Sequence, residues 1–265
     1  MKTNILNISV LLVCMAFCSC GFGKNIKGNG NIVTREFRVG EFDGIELSVL
    51  ATVNYTVGDK YSCIVHVDEN ILDCLGIRIS EGKLKLENGY RYRSVNLQPT
   101  KCVIELISPK LKSIDVLGSG DVNVLSDLVG RKMSVGVAGS GDVVFNETLD
   151  FGEFKIKMAG SGDVRTLKHA DLQKVNIETT GLCSVVMNNA EVLHADMEVA
   201  GSSKVTVNGV VKVVKVRNAS LNDVVLGVVT DRIDYRIKGT GDILYGGIPA
   251  VLKGKKVGRG NILQK

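Results

Sequence analysis

Aspartates at a fixed spacing are the first feature of this sequence that could carry chemistry. Asp121, Asp142 and Asp163 each end the string Gly-Ser-Gly-Asp, and a valine follows every time. If these strings stacked on one another, neighbouring carboxylates would lie about 4.8 Å apart and repel by about 0.9 kcal/mol in water. Amide hydrogen bonds, solvent or a bound cation must offset that repulsion.

A calcium site is one interpretation of this row, and the spacing argues against it. Calcium-binding β-rolls repeat their glycine and aspartate motif about every nine residues, whereas Asp121 and Asp142 are 21 residues apart. Lys204 occupies the aspartate position in a later copy, which would interrupt a row of metal ligands. The chain has no Cys-x-x-Cys pair to indicate zinc. We therefore expect no metal and no cofactor.

The residue types of a catalytic centre are widely separated. His66, His169 and His194 are far apart in the sequence, tryptophan is absent, and aromatic residues make up 5% of the chain. Enzymes that cleave acidic sugars on a β-helix need convergent acids, a base and often calcium. The sequence predicts a protein that is not an enzyme, with a polysaccharide-active enzyme as the open alternative.

One short segment has the composition of a binding surface. Tyr90, Arg91, Tyr92 and Arg93 are consecutive, and aromatic rings with guanidinium groups can contact a glycan or a protein. The alternative is an exposed loop that contacts no ligand. We predict these four residues as ligand contacts.

The N-terminal segment has the features of an exported lipoprotein. Its apolar run ends at Phe17 and is too short to span a membrane comfortably. The Ser-Cys pair that follows resembles the bacterial lipobox, which implies a signal peptide over residues 1–19, a lipid on Cys20 and a lipid-anchored linker over residues 20–34. Phe17 departs from the aliphatic residue usual at its position, and an ordinary signal peptide cut nearby is the alternative. The expected location is the cell envelope, at the outer membrane.

Four cysteines lie beyond this segment, at Cys63, Cys74, Cys102 and Cys183. Export permits disulfides, and four cysteines allow three full pairings. The sequence leaves open both the pairing and the alternative that these thiols are free and buried.

The charge pattern indicates solubility rather than a nucleic-acid partner. The net charge is +5, and basic and acidic residues are interspersed along the chain. Without a basic run or a basic-aromatic motif, we expect no nucleic-acid binding.

An internal repeat specifies the elements that must hold these residues. The Gly-x-Gly-Asp string begins at Gly118, Gly139 and Gly160 and returns at Gly239, with degenerate copies between and after them. Eight copies follow one another at steps of 19 to 21 residues. Apolar residues flank each copy at a spacing of two, which places them on one face of a strand. Each repeat therefore predicts a strand, a glycine corner, a second strand and a variable turn.

Stacking of the repeats predicts an all-β parallel β-helix, a solenoid with rungs of about 20 residues. A single unit cannot bury its apolar face alone, whereas stacked units share one continuous core. Residues 118–265 are predicted to form the rungs and residues 35–117 a larger N-terminal β segment that caps them, in one domain over residues 35–265. A β-sandwich is the alternative, but it gives no reason for one turn motif at a fixed period.

The corners have a structural interpretation. We expect their glycines to supply positive φ for a sharp turn and their aspartates to bond nearby backbone amides. The predicted structural corner residues are Gly118, Gly120, Asp121, Gly139, Gly141, Asp142, Gly160, Gly162, Asp163, Gly239, Gly241 and Asp242.

Several stretches resemble the GIN-domain family, described as a putative auto-transporter adhesin head domain. They are Phe42-Asp-Gly-Ile45, Leu84-Lys-Leu86, Ser108-Pro-Lys-Leu111 and the Gly-Ser-Gly-Asp-Val strings, over roughly residues 35–245. The family is a domain of unknown function common in exported Bacteroidetes proteins. The resemblance implies a β-helical fold, an envelope location and a Bacteroidetes-type lipoprotein, and it implies no particular catalytic or binding residues.

These features favour a lipid-anchored, non-catalytic binding or adhesion module whose partner is a glycan or a protein. An envelope scaffold is a further alternative, because exposed end rungs could pair edge to edge and produce self-association.

Overall fold

The computed structural model describes residues 24–265, so the predicted signal peptide over residues 1–19 and the lipidation site Cys20 lie outside the described residues. Strands dominate the described chain. They are β1 (Asn25–Lys27), β2 (Ile32–Phe37), β3 (Gly44–Leu47), β4 (Thr52–Val57), β5 (Ser62–Asp68), β6 (Leu75–Ser80), β7 (Lys83–Asn88), β8 (Asn96–Gln98), β9 (Cys102–Ser108), β10 (Ser113–Val116), β11 (Asp121–Val124), β12 (Leu128–Val137), β13 (Val143–Phe145), β14 (Leu149–Met158), β15 (Asp163–Thr166), β16 (Ala170–Thr179), β17 (Ser184–Gly201), β18 (Lys204–Ser220), β19 (Val224–Ile237), β20 (Ile243–Gly246), β21 (Val251–Lys256) and β22 (Ile262–Gln264). The helices are α1 (Glu69–Leu72) and a 3-10 turn (Tyr90–Tyr92).

The repeats stack in parallel, which confirms the predicted β-helix. Val122 pairs with Val143, and Val143 pairs with Val164. The same column continues through the degenerate copies to Ile243 and Ile262. The side chains from Val122 to Ile243 in this column are almost fully buried, so each rung covers the apolar face of the one before it.

Each rung has three faces rather than two. Face A consists of Ser113–Val116 and the segments stacked on it, face B of Asp121–Val124 and its equivalents, and face C of residues 128–130 and theirs. Leu128 pairs with Leu149, and Leu149 with Ala170, in a third parallel ladder. The sequence prediction treated this region as a variable turn, because only a few residues per repeat line face C.

The first rungs are assembled out of sequence order. Face A continues below β10 into β3 and then β7, and face B continues below β11 into β4 and then β9. Three antiparallel pairings complete this N-terminal end: β5 pairs with β9, β2 pairs with β5, and β6 pairs with β7. The predicted linker over residues 20–34 contains β1 and the start of β2, so this part of it belongs to the fold.

The corner glycines are required by close stacking, and the positive-φ explanation is wrong for them. Gly118, Gly139 and Gly160 do not have positive φ, although the degenerate corners at Gly181 and Gly201 do. A Cβ on Gly139 would overlap the carbonyl oxygen of Gly118, and one on Gly160 would overlap that of Gly139. Corner backbones therefore lie directly against one another, and only glycine leaves room for this approach.

The corner aspartates bond across rungs rather than within their own turn. The Asp142 amide donates to Asp121 Oδ1 at 2.9 Å, and the Asp163 amide donates to Asp142 Oδ1 at 2.8 Å. Near the C-terminus the Asp242 amide donates to Asp223 and the Asn261 amide to Asp242, both at 2.7 Å. The aspartates therefore do accept backbone amides, as expected, but the amides belong to the next rung and not to the same turn. These donors compensate the stacked carboxylates.

The four cysteines of the described chain, Cys63, Cys74, Cys102 and Cys183, are free and buried. Burial raises the pKa of both Cys63 and Cys102 to about 12, with a small added contribution from Asp68 at Cys102. These thiols therefore remain protonated at neutral pH.

Within residues 24–265 no helix has the length and apolar character needed to cross a membrane.

Candidate functional site

The predicted contact segment Tyr90–Tyr92 forms a 3-10 turn at the N-terminal end, and Arg93 follows it. Tyr90 is 83% exposed, and the Arg93 guanidinium lies 4.9 Å from the centre of its ring. Tyr92 instead packs partly against the core. Exposed side chains of this segment are therefore Tyr90, Arg91 and Arg93.

The histidines do not come together. His66 lies on β5 and bonds Thr34, at 2.8 Å between Nδ1 and Oγ1, while His169 Nδ1 lies 3.0 Å from the Asn189 carbonyl oxygen. His194 lies on β17 and is paired with Lys174 on the preceding rung. Among residues 24–265 no cluster of three or more His, Cys, Asp or Glu side chains could hold a metal ion.

A groove on the outer surface of face A is the candidate site. Its bottom is a row of mostly small residues that immediately precede the corners, one from each of seven successive rungs: Leu117, Ala138, Ala159, Thr180, Ala200, Ala219 and Lys238. A second row, two residues earlier in each strand, borders it: Asp115, Gly136, Lys157, Glu178, Glu198, Arg217 and Arg236. Side chains two residues apart share a face of a strand, so the two rows run side by side. The groove has a volume of about 580 Å³.

The middle of the bordering row is neutralised by ion pairs. Lys157 Nζ lies 2.6 Å from Glu178 Oε2, and Arg217 Nη1 lies 3.2 Å from Asp196 Oδ1 and also pairs with Glu198. The hydrogen bond from Lys157 holds the pKa of Glu178 below its usual value, and the same bond raises the pKa of Lys157. Each carboxylate in this part of the row is therefore paired with a cation of a neighbouring rung.

The C-terminal rungs carry a second concavity of a different character. It has a volume of about 610 Å³ and is lined by Lys215, Arg217, Arg232, Arg236, Lys253 and Lys255, with Asp234 as its one acidic residue. We call these six basic residues the basic patch. Arg232 Nε lies 2.7 Å from Asp234 Oδ2, and this hydrogen bond is the main cause that lowers the pKa of Asp234. The patch adjoins the groove, because Arg217 and Arg236 line both.

Neither the groove nor the basic patch was predicted from the sequence, although both leave a pattern in it. Writing the repeats beneath one another places Ala138, Ala159, Ala200 and Ala219 in one column. Arg217, Arg236 and Lys255 fall in another column, and register pairing confirms their alignment. The apolar columns that mark the core are a stronger pattern, so the prediction concerned buried residues and did not consider the outer surface of the strands.

Solved structures share this fold. A putative adhesin from Parabacteroides distasonis matches with a TM-score of 0.80 and 21% identity, covering 91% of this chain and 100% of that chain. A putative lipid binding protein from the same species matches with a TM-score of 0.76 and 28% identity, at the same coverage. A putative adhesin from Parabacteroides merdae has a TM-score of 0.76 and 19% identity, covering 92% of this chain and 100% of that chain. A search of curated proteins found no match.

The family comparison agrees with the motifs. Residues 41–249 match the model of the putative auto-transporter adhesin, head GIN domain, which confirms the resemblance drawn from the corner strings and the flanking motifs. The match extends from the N-terminal strands through nearly all the stacked rungs. The chain therefore belongs to the family of the putative auto-transporter adhesin head GIN domain.

Proposed function

We propose that this protein is a non-catalytic binding module of the bacterial cell envelope and that it holds an extended glycan along the face A groove. The observation that carries the proposal is the groove itself. Its row of small residues crosses seven rungs, which is about 29 Å at the usual strand spacing. The bordering row lies mostly on paired strands, and the bottom row begins where most of those strands end. There, amides such as those of Ala138 and Ala159 donate to carbonyl oxygens of the preceding rung, so the shape of the groove is preorganised.

A glycan suits this groove better than a protein partner does. Protein interfaces depend on a few large anchors seated in pockets, whereas Ala138, Ala159 and Ala219 leave a shallow and even bottom. Charged side chains such as Lys157 and Glu178 border it and can exchange hydrogen bonds with hydroxyl groups. One relative is described as a putative lipid binding protein. The interior here is filled by buried side chains such as Phe145 and Phe154, so an acyl chain would have to lie outside the stack.

The groove can be tested by filling it. Ala159→Phe with Ala219→Phe places two rings on its bottom row, and Val129→Phe with Val210→Phe places two on exposed positions of face C as the matched control. On a glycan array, the full-length protein should bind at least one glycan. The groove variant should lose at least tenfold in affinity for it, while the control keeps it. Equal binding by both variants, or binding to proteins only, would contradict the proposal.

We also propose that the module is anchored by lipid on Cys20 at the outer membrane. The support is the lipobox resemblance around Cys20 and membership of a family of adhesin heads. Cells that express the protein and are fed an alkynyl fatty acid should label it, and Cys20→Ala should abolish the label. A label that persists in the variant would contradict anchoring at this residue.

The exposed residues of the Tyr90 segment are proposed as a second contact. Arg93 stacks against the Tyr90 ring and holds an aromatic surface toward solvent. Tyr90→Ala should weaken ligand binding without a change in thermal stability. Tyr92→Ala is unsuitable as a test, because Tyr92 packs against the core. Unchanged affinity in Tyr90→Ala would remove this segment from the site.

Self-association is a second candidate function, supported by the open C-terminal end. All six residues of β21 are exposed, and the exposed apolar side chains near it include Ile248, Val251 and Leu252. An open strand edge with apolar side chains is a template for pairing. Light scattering of the full-length protein in detergent should show a mass that rises with concentration, and a constant monomer mass would exclude this candidate.

A further inference from the structure

We propose that the basic patch binds an acidic polysaccharide through the carboxylates of its sugar units. The inference rests on the proposed function, because the patch continues the face A groove and would fix the class of glycan that the groove receives. Six basic side chains and a single carboxylate line this concavity.

The arrangement of the patch is a two-row array across three strands. Arg217, Arg236 and Lys255 are paired in register on β18, β19 and β21. Lys215, Asp234 and Lys253 form the parallel row two residues earlier. Neighbouring strands lie about 4.8 Å apart, and residues two apart in a strand lie about 6.6 Å apart. A linear polymer with an acid on each unit would meet several cations at once.

The charge of the patch is largely uncompensated. Arg217 pairs with Asp196 and Glu198, and Arg232 pairs with Asp234. Among the described residues, Lys215, Arg236, Lys253 and Lys255 form none of the ion pairs, and all four are exposed. Asp234 lies in register between Lys215 and Lys253 and attracts both at longer range, so one carboxylate serves three cations. A field of one sign in a concave site concentrates ligands of the opposite sign. The patch is therefore built to receive anions from solution.

The rest of face A shows that this imbalance is not general. The in-register column that contains Arg217 and Arg236 continues toward the N-terminus. There, Lys85 lies 3.0 Å from Glu46, and Lys157 lies 2.6 Å from Glu178. Cations in those rungs face carboxylates of neighbouring rungs, as expected for a stack that balances its own charge. The pattern changes only from β18 onward, where three cations follow in succession.

The shape favours a thin acidic chain over other polyanions. The patch spans three strands and opens into the groove at Arg217 and Arg236, so a linear chain can lie along both. Arginine forks bind carboxylates in bidentate fashion.

The test must distinguish binding of a polysaccharide at the basic patch from binding of a second copy of this chain there. Asp150, Asp171 and Glu191 are paired in register on face C and are exposed. This acidic row could face the basic patch of another molecule. Association of that kind would need no added polymer and would itself depend on the patch.

The experiment measures binding of polygalacturonate to the full-length protein in detergent. Arg236→Gln with Lys255→Gln removes two charges from the patch, and Lys60→Gln with Lys110→Gln removes two exposed charges elsewhere as the matched control. The patch variant should bind at least tenfold more weakly, the control should bind like the wild type, and wild-type affinity should fall as salt rises. Neutral dextran should not bind.

The inference would be overturned by no polygalacturonate binding by the wild type, by equal weakening in both variants, or by equal binding of dextran. A change in light scattering that shows a dimer in place of polymer binding would also overturn it. Vesicles of anionic lipid and duplex DNA serve as further probes, and a preference for either over polygalacturonate would also overturn it.

The groove variant Ala159→Phe with Ala219→Phe separates this inference from the proposed function. If it loses glycans while the patch variant keeps them, the proposed function stands and this inference fails. If the patch variant alone loses polygalacturonate, the patch site stands and the groove fails.

Discussion

At the scale of single residues, the corner glycines and aspartates do different work from what their types alone indicate. Glycine is usually explained by positive φ, yet Gly139 and Gly160 are needed because the next backbone passes too close for a Cβ. Aspartate usually closes its own turn, yet Asp121 and Asp142 accept amides from the following rung. Both residues therefore act in the stacking direction, which a single repeat does not reveal.

Gly160→Ala should destabilise the protein by about 2–3 kcal/mol, because its Cβ would overlap a backbone carbonyl that cannot move without disturbing the rung. Gly40→Ala is the matched control, since its Cβ would meet only Ile79 Cδ1, at 3.6 Å. Urea unfolding followed by circular dichroism measures the difference. Equal midpoints for the two variants would show that the corner can open to admit a side chain.

Asp142→Ala should cost about 1 kcal/mol, because the Asp163 amide loses its acceptor. Asp142→Asn should retain most of the stability, since an amide oxygen can accept the same bond and Asn261 occupies the equivalent position in the last rung. Thermal melts with and without calcium would check both points. If calcium raised the wild-type melting temperature but not that of Asp142→Asn, the row would be a cation site after all.

At the scale of elements, the N-terminal end depends on a buried carboxylate at the end of β5. The amides of Gly30 and Thr100 donate to Asp68, each at 2.7 Å, and the Thr100 hydroxyl donates at the same distance. Burial alone would raise the pKa of Asp68, but these hydrogen bonds together hold it below its usual value. One side chain thus ties the loop before β2 to the loop before β9.

The lowered pKa of Asp68 predicts acid sensitivity. A carboxyl with a folded pKa below its unfolded value stabilises the protein above the unfolded pKa, and that contribution is lost as pH falls through the folded pKa. Stability should therefore decrease below about pH 4, and Asp68→Asn should be less stable at pH 7 and less sensitive to acid. Asp59→Asn, at an exposed position, is the control for loss of one carboxylate. Identical pH profiles for wild type and Asp68→Asn would contradict this role.

The elements also show where the sequence was informative. The period of the corners predicted the stacking of Val122, Val143 and Val164, because identical units can share a core only in register. The same pattern could not place β4 beneath β11, since alternation reports that a strand is buried and not which strand covers it. The candidate site is an outward surface whose column of alanines is a weaker pattern than the apolar columns of the core, so it was recognised only once the stacking had aligned the rungs.

At the scale of the whole molecule, the two ends of the rod differ. The N-terminal end is closed by antiparallel strands β2, β5 and β6. At the other end, the face A strand β21 pairs only with β19 in the described chain. The basic patch lies beside this open end. On face A, eight successive strand pairings separate β7 at the closed end from β19, which carries Arg236. At about 4.8 Å a step, that separation is about 38 Å, so a ligand at the patch would be held well away from the N-terminal end.

This asymmetry predicts a gradient of local stability. Each rung of a solenoid is stabilised by its neighbours, so β16, which is paired on both sides, should open far less often than β21, which is paired on one. Hydrogen exchange of the full-length protein should therefore show β21 amides exchanging at least about tenfold faster than β16 amides. Strand β7, paired on both sides at the closed end, is the internal reference and should resemble β16. Equal rates in β21 and β16 would mean that the stack opens as a single unit, and the open end would then offer no freer edge than the interior rungs do.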